Sequence, residues 1–466
     1  MEVLQRTANR GSISTGYDID NSLKLEADNS EYLIKTNDAG TNRKSFTVSM
    51  WFKRTELAND YMQLWQGGVF GEATRMGFYG GTPKEAIWVD VGGGTGNTGA
   101  DYRSYSVQVA RDTSAWYHIV LAVDTTQSTA ADRLKVWLNG DEITTWTNQA
   151  IPAQDFQCSL EANIDMTWGA YNSTYYKMCG YIAECHYLDG VAKVQTDFGE
   201  YDEDSGIWKP KAYTGTYGGN GCYLNFDDSS NLGADSSGNG NDFTLNNITA
   251  ADQATDTPTN NFCTWNPLWA YPNTATVGNG GTSSIGGASS VWRGSKGTIG
   301  LTNGKWYWEQ KANGNDTIVG WQTENVISVT GTNAHNVNDT IALYEAGNYI
   351  WLRDETSGRN DTAVSGSYAN GQIVGFALDL DSSPQTATFY RNGSAIASNV
   401  NIDGLTGKTI FPFTSHYQQT SNANFGGYTN ISNAHTNTDE NGYGSFVYAP
   451  PSGYYALCTK NLAEYG

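Results

Sequence analysis

Gly94-Thr95-Gly96-Asn97-Thr98-Gly99 has the spacing of a dinucleotide-binding loop and follows a run of strand character. Such a loop holds pyrophosphate only when a helix comes next and points its free N–H groups at the ligand. The residues that follow, DYRSYSVQVA, alternate as a strand does, so these glycines are expected to form a plain loop. Gly407-Lys408-Thr409 has the closing residues of a phosphate loop, but Ile402 stands where the first glycine belongs and an extended IFPFTSHY follows. No G-x-S-x-G nucleophile elbow occurs. Zinc needs clustered His and Cys. The five histidines are scattered at 118, 186, 335, 416 and 435, there is no C-x-x-C, and Cys185 and His186, adjacent on a strand, face opposite ways.

Carboxylates come next. Glycoside hydrolysis needs two of them about 5–10 Å apart across a sugar cleft. Glu200, Asp202 and Asp204 alternate, but no apolar residues alternate with them in a longer strand, so a solvated acidic loop is expected. Asp227, Asp228, Asp235 and Asp242 offer hard oxygen ligands on turns, and calcium is the ion they would hold. An EF-hand loop begun at Asp235 would need Glu at its twelfth position, where Asn246 stands. Asx-turn hydrogen bonding is the ordinary use of such residues. Calcium is thus the alternative at this loop, and no other cofactor is expected.

Sugar recognition uses aromatic faces and planar polar groups in a shallow site. Trp65, Tyr79 and Trp88 lie near strand ends in the first half, and Tyr344, Trp351 and Arg353 in the second. For each of these, plain core burial is the competing expectation.

Strands must position these residues. Phe46, Val48, Met50 and Phe52 alternate with Thr47, Ser49, Trp51 and Lys53, a period of two. Trp116 to Asp124 reads as a strand buried on much of both faces. A strand ending in Asp, a polar loop, a strand and an Asn-Gly turn occur twice, the turns being Asn139-Gly140 and Asn392-Gly393. With 15 Trp, 29 Tyr, 15 Phe, 53 Gly and only 16% charged residues, the 466-residue chain suits many short strands and turns and not long charged helices. The expected fold class is all-β: two tandem antiparallel sandwiches, residues 1–200 and 290–466, joined by an ordered Gly/Asn/Ser-rich connector at 201–289 whose pieces add strands to either.

The net charge of −21 argues against nucleic-acid partners and against anionic membrane surfaces. No run of eighteen apolar residues and no signal-peptide pattern is present, so neither membrane insertion nor general secretion is expected. The six cysteines are expected to be reduced packing residues. The sequons at Asn172 and Asn247 are expected to be accidental in so Asn- and Thr-rich a chain.

Several of these segments resemble known families. SFTVSMWFKRT (45–55), WYHIVLAVDTT (116–126), DRLKVWLNGDEI (132–143) and GYIAECHYLDG (180–190) resemble a laminin-G-like domain of concanavalin A type. GKWYWEQK (304–311), IVGW (318–321), GQIVGFALDLD (371–381), ATFYRNG (387–393) and NANFGG (422–427) resemble a SPRY domain. The resemblance implies two concanavalin A-like jelly rolls, structural roles for Glu184 and Asp379, and partner-binding loops around Tyr344, Trp351 and Arg353. LQRTANRGS (4–12), TPTNNFCTWNPL (257–268) and PPSGYYALCTKNL (450–462) resemble virion proteins of tailed phages. That likeness implies a non-enzymatic tail-fibre, receptor-binding or capsid-decorating protein on the particle exterior. Its expected partners are other virion proteins and host surface glycan, and a homo-oligomer is expected. A polysaccharide hydrolase of the same fold, or a cellular adhesion or scaffold protein, is the alternative.

Overall fold

A computed structural model of the chain describes residues 16–38, 42–57, 61–68, 71–82, 84–93, 102–171, 175–269, 274–287, 291–312, 314, 316–324, 335, 338–354, 358–364 and 369–466. Gly94–Gly99 and the segment 4–12 lie outside them, as do residues 172–174 with the first sequon. The described chain is β-structure throughout, with a single α-helix at Thr459–Tyr465. None of its helices is long and apolar enough to cross a membrane. It divides into two compact units, Thr15–Thr259 and Asn260–Gly466.

The first unit is a sandwich of two antiparallel eight-stranded sheets. One runs Asp141–Glu142, Leu134–Leu138, Trp116–Asp124, Ser45–Arg54, Gly180–Asp189, Ser22–Leu25, Gln253–Ala254, with Cys222–Leu224 also on Gly180–Asp189. The other runs Trp146–Asn148, Tyr102–Val109, Ala86–Val91, Thr74–Phe78, Met62–Gly67, Asp165–Trp168, Tyr32–Thr36, Thr244–Asn246. Side chains of period two fill the space between them. Phe46, Val48, Met50 and Phe52 point inward and meet Trp65, Met76, Ile87, Val89 and Trp168 in one buried core. At about 1.5–3 kcal/mol for each large apolar side chain buried, this core is the main source of the unit's stability.

The second unit repeats the plan. One sheet centres on Lys305–Ala312, Ile373–Asp379 and Thr386–Arg391, and the other on Thr317–Thr323, Ile410–Tyr417 and Thr340–Tyr344. Trp306, Trp308, Trp321, Phe376 and Phe389 lie between them. Both Asn-Gly pairs form the tight turns expected of them. Asn139 and Gly140 have φ of 50° and 87°, and Asn392 and Gly393 have 48° and 76°, which is the type I′ pattern.

The Gly/Asn/Ser-rich stretch 201–289 is shared between the two units. Cys222–Leu224, Thr244–Asn246 and Gln253–Ala254 each extend a sheet of the first sandwich. Thr276–Gly278 and Ser283–Ile285 extend a sheet of the second. Its Gly, Asn and Ser content goes with the irregular backbone between these short strands. The division between the units falls at 259/260.

Residues 260–262 and 458–460 are joined to one another within the second unit. Phe262 bridges to Cys458, the Asn261 N–H donates to Thr459 Oγ1 at 2.9 Å, and the Lys460 N–H donates to Asn260 Oδ1 at 3.2 Å. Glu309 fastens the C-terminal extension to the sheet by accepting the N–H groups of Val447 and Tyr448, both at 2.8 Å.

Candidate functional site

In the second sheet of the first sandwich, Ile87, Val89 and Val91 enter the core, so Trp88 and Asp90 must face outward. Register does the rest. Asp90 stands opposite Arg75 on one neighbouring strand and Arg103 on the other, and Trp88 stands between Gly77 and Tyr105. The Asp90 carboxylate is fully buried. It accepts Arg75 Nε at 2.9 Å and Nη2 at 2.6 Å, Trp88 Nε1 at 2.8 Å, and Arg103 Nε at 2.9 Å and Nη2 at 3.1 Å. Arg75 lies over the Trp88 ring at 4.3 Å and the Tyr171 ring at 4.7 Å. Such a layer is rigid, because every long side chain in it is held at two or more points.

Tyrosines cover this floor. Tyr61 meets Trp88 at 4.9 Å between ring centroids, Tyr176 at 4.7 Å and Tyr79 at 5.1 Å, and Tyr79 meets Tyr105 at 4.1 Å. All four tyrosines are partly exposed, while Trp88 beneath them is 1% exposed. Burial, then hydrogen bonds to Tyr79, push the Tyr61 and Tyr105 hydroxyls up to about 12, so both stay protonated near neutral pH. The face therefore offers flat apolar rings with fixed hydroxyls, and Arg103 beside them with 39% of its side chain exposed. It can stack on the C–H faces of a saccharide and exchange hydrogen bonds with its hydroxyls.

Of the aromatic residues named from the sequence, Tyr79 and Trp88 come together here, and Trp88 is the floor of the face and not a contact surface. Trp65 is elsewhere. It is fully buried between the sheets, 6.0 Å from Phe46 and 5.9 Å from Tyr187, because the irregular pairing between Gln63 and Trp65 turns it inward. In the second sandwich, Trp351 is 5% exposed and packs with Ile318, Ala342 and Phe413. Tyr344 lies partly exposed at the edge of that cluster, next to Trp292 and Tyr349. Arg353 pairs with Thr340 in the sheet, and its side chain lies outside the described residues.

The acidic loop is taken up by its own backbone. Asp235 accepts the N–H groups of Tyr223, Ser237 and Asn241, and Asp242 accepts that of Asp235. Asp228 accepts from Ser230, and Asp227 from Asn21 and Asn225. The Ser230 and Ser237 contacts are Asx turns, and the others tie the loop to its neighbours. Among the described residues, the His, Cys and acidic groups whose ligand atoms lie close enough to share one ion are Glu26, Glu56 and Cys179, within 4.8 Å of one another. Burial pushes the Cys179 thiol up and Glu56 up to about 7, and the thiol donates to Glu26.

The other candidate chemistry is structural. Asp202 closes a turn by accepting the Ser205 N–H and Oγ–H, with Lys209 beside it, and these lower its carboxyl to about 2. Glu184, at φ 49° on a bulge, receives the hydroxyls of Tyr223 at 2.7 Å and Tyr17 at 2.9 Å. Asp379 accepts the N–H groups of Asp381 and Ser382 and pairs with Lys305. Ser284 and His416 form a hydrogen-bonded pair at 2.8 Å. Both are fully buried, and burial followed by the charge of Arg293 lowers the imidazole to about 4. No substrate reaches that serine, and the neighbour of its histidine is a cation where a nucleophilic triad needs an acid.

Sequence reasoning missed Tyr61, Arg75, Asp90, Arg103, Tyr105 and Tyr176. Part of the signal was there. Out of phase with the core residues, three successive strands read Arg75-x-Gly77, Trp88-x-Asp90 and Arg103-x-Tyr105. An acid between two arginines on adjacent strands is a favourable cross-strand arrangement.

Residues 28–190 match the model of a family described as the concanavalin A-like lectin/glucanases superfamily. The first sandwich thus carries a concanavalin A-like domain. A comparison with curated proteins found no match. Among solved structures, the chain is similar to the SPRY domain of human HERC1, at 16% identity over 34% of this chain and 96% of that one, with a TM-score of 0.28. It is also similar to the TRIM65 PSpry domain, at 15% identity, 35% and 88% coverage and a TM-score of 0.28. A native heptameric SAP-like pentraxin from Limulus polyphemus gives 11% identity, 38% and 80% coverage and a TM-score of 0.28. Likeness at this level carries no functional argument.

Proposed function

We propose that the chain is a non-enzymatic recognition protein that contacts saccharides through the tyrosine-covered face of its first sandwich, displayed on the outside of a tailed-phage particle. The observation that carries the first part is the face itself. Four partly exposed tyrosines lie on a floor in which one buried carboxylate holds two arginines and a tryptophan. A rigid, flat, aromatic surface with fixed hydroxyls suits a ligand made of C–H faces and hydroxyls. The non-catalytic part is supported by Asp202 closing a turn, by Glu184 receiving two tyrosine hydroxyls, and by the inaccessible Ser284–His416 pair.

The particle assignment is supported by the resemblance of segments 257–268 and 450–462 to tailed-phage virion proteins. Other virion subunits are the expected partners, with the chain itself as a homo-oligomer. The test of the first part is binding of the purified chain to a glycan array, with Tyr79→Ala and Tyr105→Ala alongside. Saturable, sugar-competed binding lost in both variants is expected, and binding unchanged in both would remove this face from the account. The particle assignment is tested by mass spectrometry of purified virions, which would sink it by finding none of the chain.

A further inference from the structure

We infer that this face takes saccharides bearing methyl groups, as 6-deoxyhexoses and acetylated sugars do, and that Val107 and Val109 are the residues that favour them; the inference rests on the saccharide-binding role proposed above.

It begins with two apolar side chains left in water. Val107 is 55% exposed and Val109 41%. Both lie on the strand Tyr102–Val109, which also carries Tyr105. Ala110 enters the core, so Val109 beside it points outward. Register puts it on the side of the tyrosines. Val109 stands opposite Ala86, and Tyr105 stands opposite Trp88, on the same neighbouring strand. Ala86 in turn accepts the Tyr79 N–H at 2.9 Å. The valines therefore continue the surface begun by Tyr79 and Tyr105, whose rings lie 4.1 Å apart.

A bulge holds Val107 out. Tyr105 and Val109 are four residues apart while their partners Trp88 and Ala86 are two apart, so this strand carries two extra residues. Ser106 pins them: its Oγ accepts the Ile87 N–H at 2.9 Å and donates to the Gln108 carbonyl at 2.6 Å. The Val107 N–H donates to the Thr145 carbonyl at 3.2 Å. Extra residues of this kind re-aim a side chain, and here the one re-aimed is apolar.

The chemistry of the occupant follows. Side chains two apart on one side of a strand are separated by about 7 Å, so a sugar ring stacked on Tyr79 and Tyr105 sets its substituents over the valines. A hydroxyl group placed there loses water and finds no partner on the valine, whereas a methyl group gains by leaving water. Two valines fall far short of the roughly 800 Å² that each partner buries in a stable protein interface, so they fit a small apolar group on a sugar and not a protein.

The test is a glycan array printed with matched pairs and probed with the full chain. One set of pairs sets 6-deoxyhexose chains beside their parent hexoses, and the other sets acetylated chains beside deacetylated ones. In at least one set the methyl-bearing member should bind about fourfold more tightly, the worth of one methyl group taken out of water, and the set that shows it identifies the source of the methyl group. The ratio within a pair is the readout, since a general loss of stacking or of fold lowers both members alike and leaves it in place. Val107→Ser/Val109→Ser should bring the ratio to about one, and Val107→Thr/Val109→Thr, which keeps the branched shape and one methyl group of each, should leave it intermediate. Equal binding within every pair by the unaltered chain would overturn the inference and leave saccharide recognition standing. So would an unchanged ratio in the serine variant. An array with no bound glycan at all would remove the saccharide-binding role and the inference with it.

Discussion

Removing the Asp90 carboxylate is the perturbation that tests the construction of the face most sharply. Five donor contacts converge on it from Arg75, Trp88 and Arg103. In Asp90→Ala the Arg75 guanidinium, 7% exposed, keeps its charge and loses the carboxylate that offsets its desolvation. Breaking a buried pair from one side costs about 3–5 kcal/mol. For a unit of this size, each kcal/mol moves the melting temperature by about 2–4 °C, so the transition of the first sandwich should fall by roughly 6–20 °C. Arg103→Ala should cost less than Asp90→Ala, because 39% of that side chain is exposed and Asp90 keeps its bonds from Arg75 and Trp88. The assay is scanning calorimetry of the full chain, with urea denaturation followed by tryptophan fluorescence. A loss under about 1 kcal/mol in Asp90→Ala, or equal losses in both variants, would refute the assignment of Asp90 as the buried anchor.

Three further outcomes are expected. Trp65→Ala should destabilise the first sandwich by about 3–5 kcal/mol, since Trp65 fills the core, while Tyr79→Ala should cost much less and abolish saccharide binding; denaturant titration beside array binding checks the contrast. Burial pushes the Glu309 carboxyl from 4.5 up to about 7, so the folded chain holds a proton that the unfolded chain has released. Stability from this group is full below about pH 4.5 and is lost as pH climbs through about 7, an effect of about 3 kcal/mol, and Glu309→Gln should flatten that slope in denaturation curves taken across the window. Gly393→Ala should lower the second unit's stability by about 1 kcal/mol or more in the same titration, because φ is 76° there and an added Cβ would come 2.7 Å from Tyr448.

Much of the fold was legible because a two-residue period is a strong signal. The alternation at Phe46–Phe52 gave the strand Ser45–Arg54, and WYHIVLAVD is the strand Trp116–Asp124. The two Asn-Gly pairs marked both hairpins, since few residues other than Asn and Gly accept positive φ at successive positions. The division at 259/260 was legible only to within the stretch 201–289. Irregular backbone pressed onto a sandwich and a loose linker share the same Gly, Asn and Ser composition, and only pairing such as Thr244–Asn246 on Tyr32–Thr36 tells them apart.

The site was half legible. Tyr79 and Trp88 were picked as aromatic residues near strand ends, but Trp65 looked equivalent, and only the irregularity at Gln63 sends it into the core. Asp90 stayed hidden because its meaning lies in the register of three strands, which sets it between Arg75 and Arg103.

The central claim is that the tyrosine face of the first sandwich is the recognition surface. Its most direct test is a saccharide-binding isotherm of the full chain beside that of Tyr79→Ala/Tyr105→Ala, with the melting temperature of each recorded. Saturable binding lost in the variant, with the fold of both intact, is the predicted result. Undiminished binding in a folded variant would contradict the claim and move the search to the aromatic cluster around Trp292, Tyr344 and Tyr349 in the second sandwich.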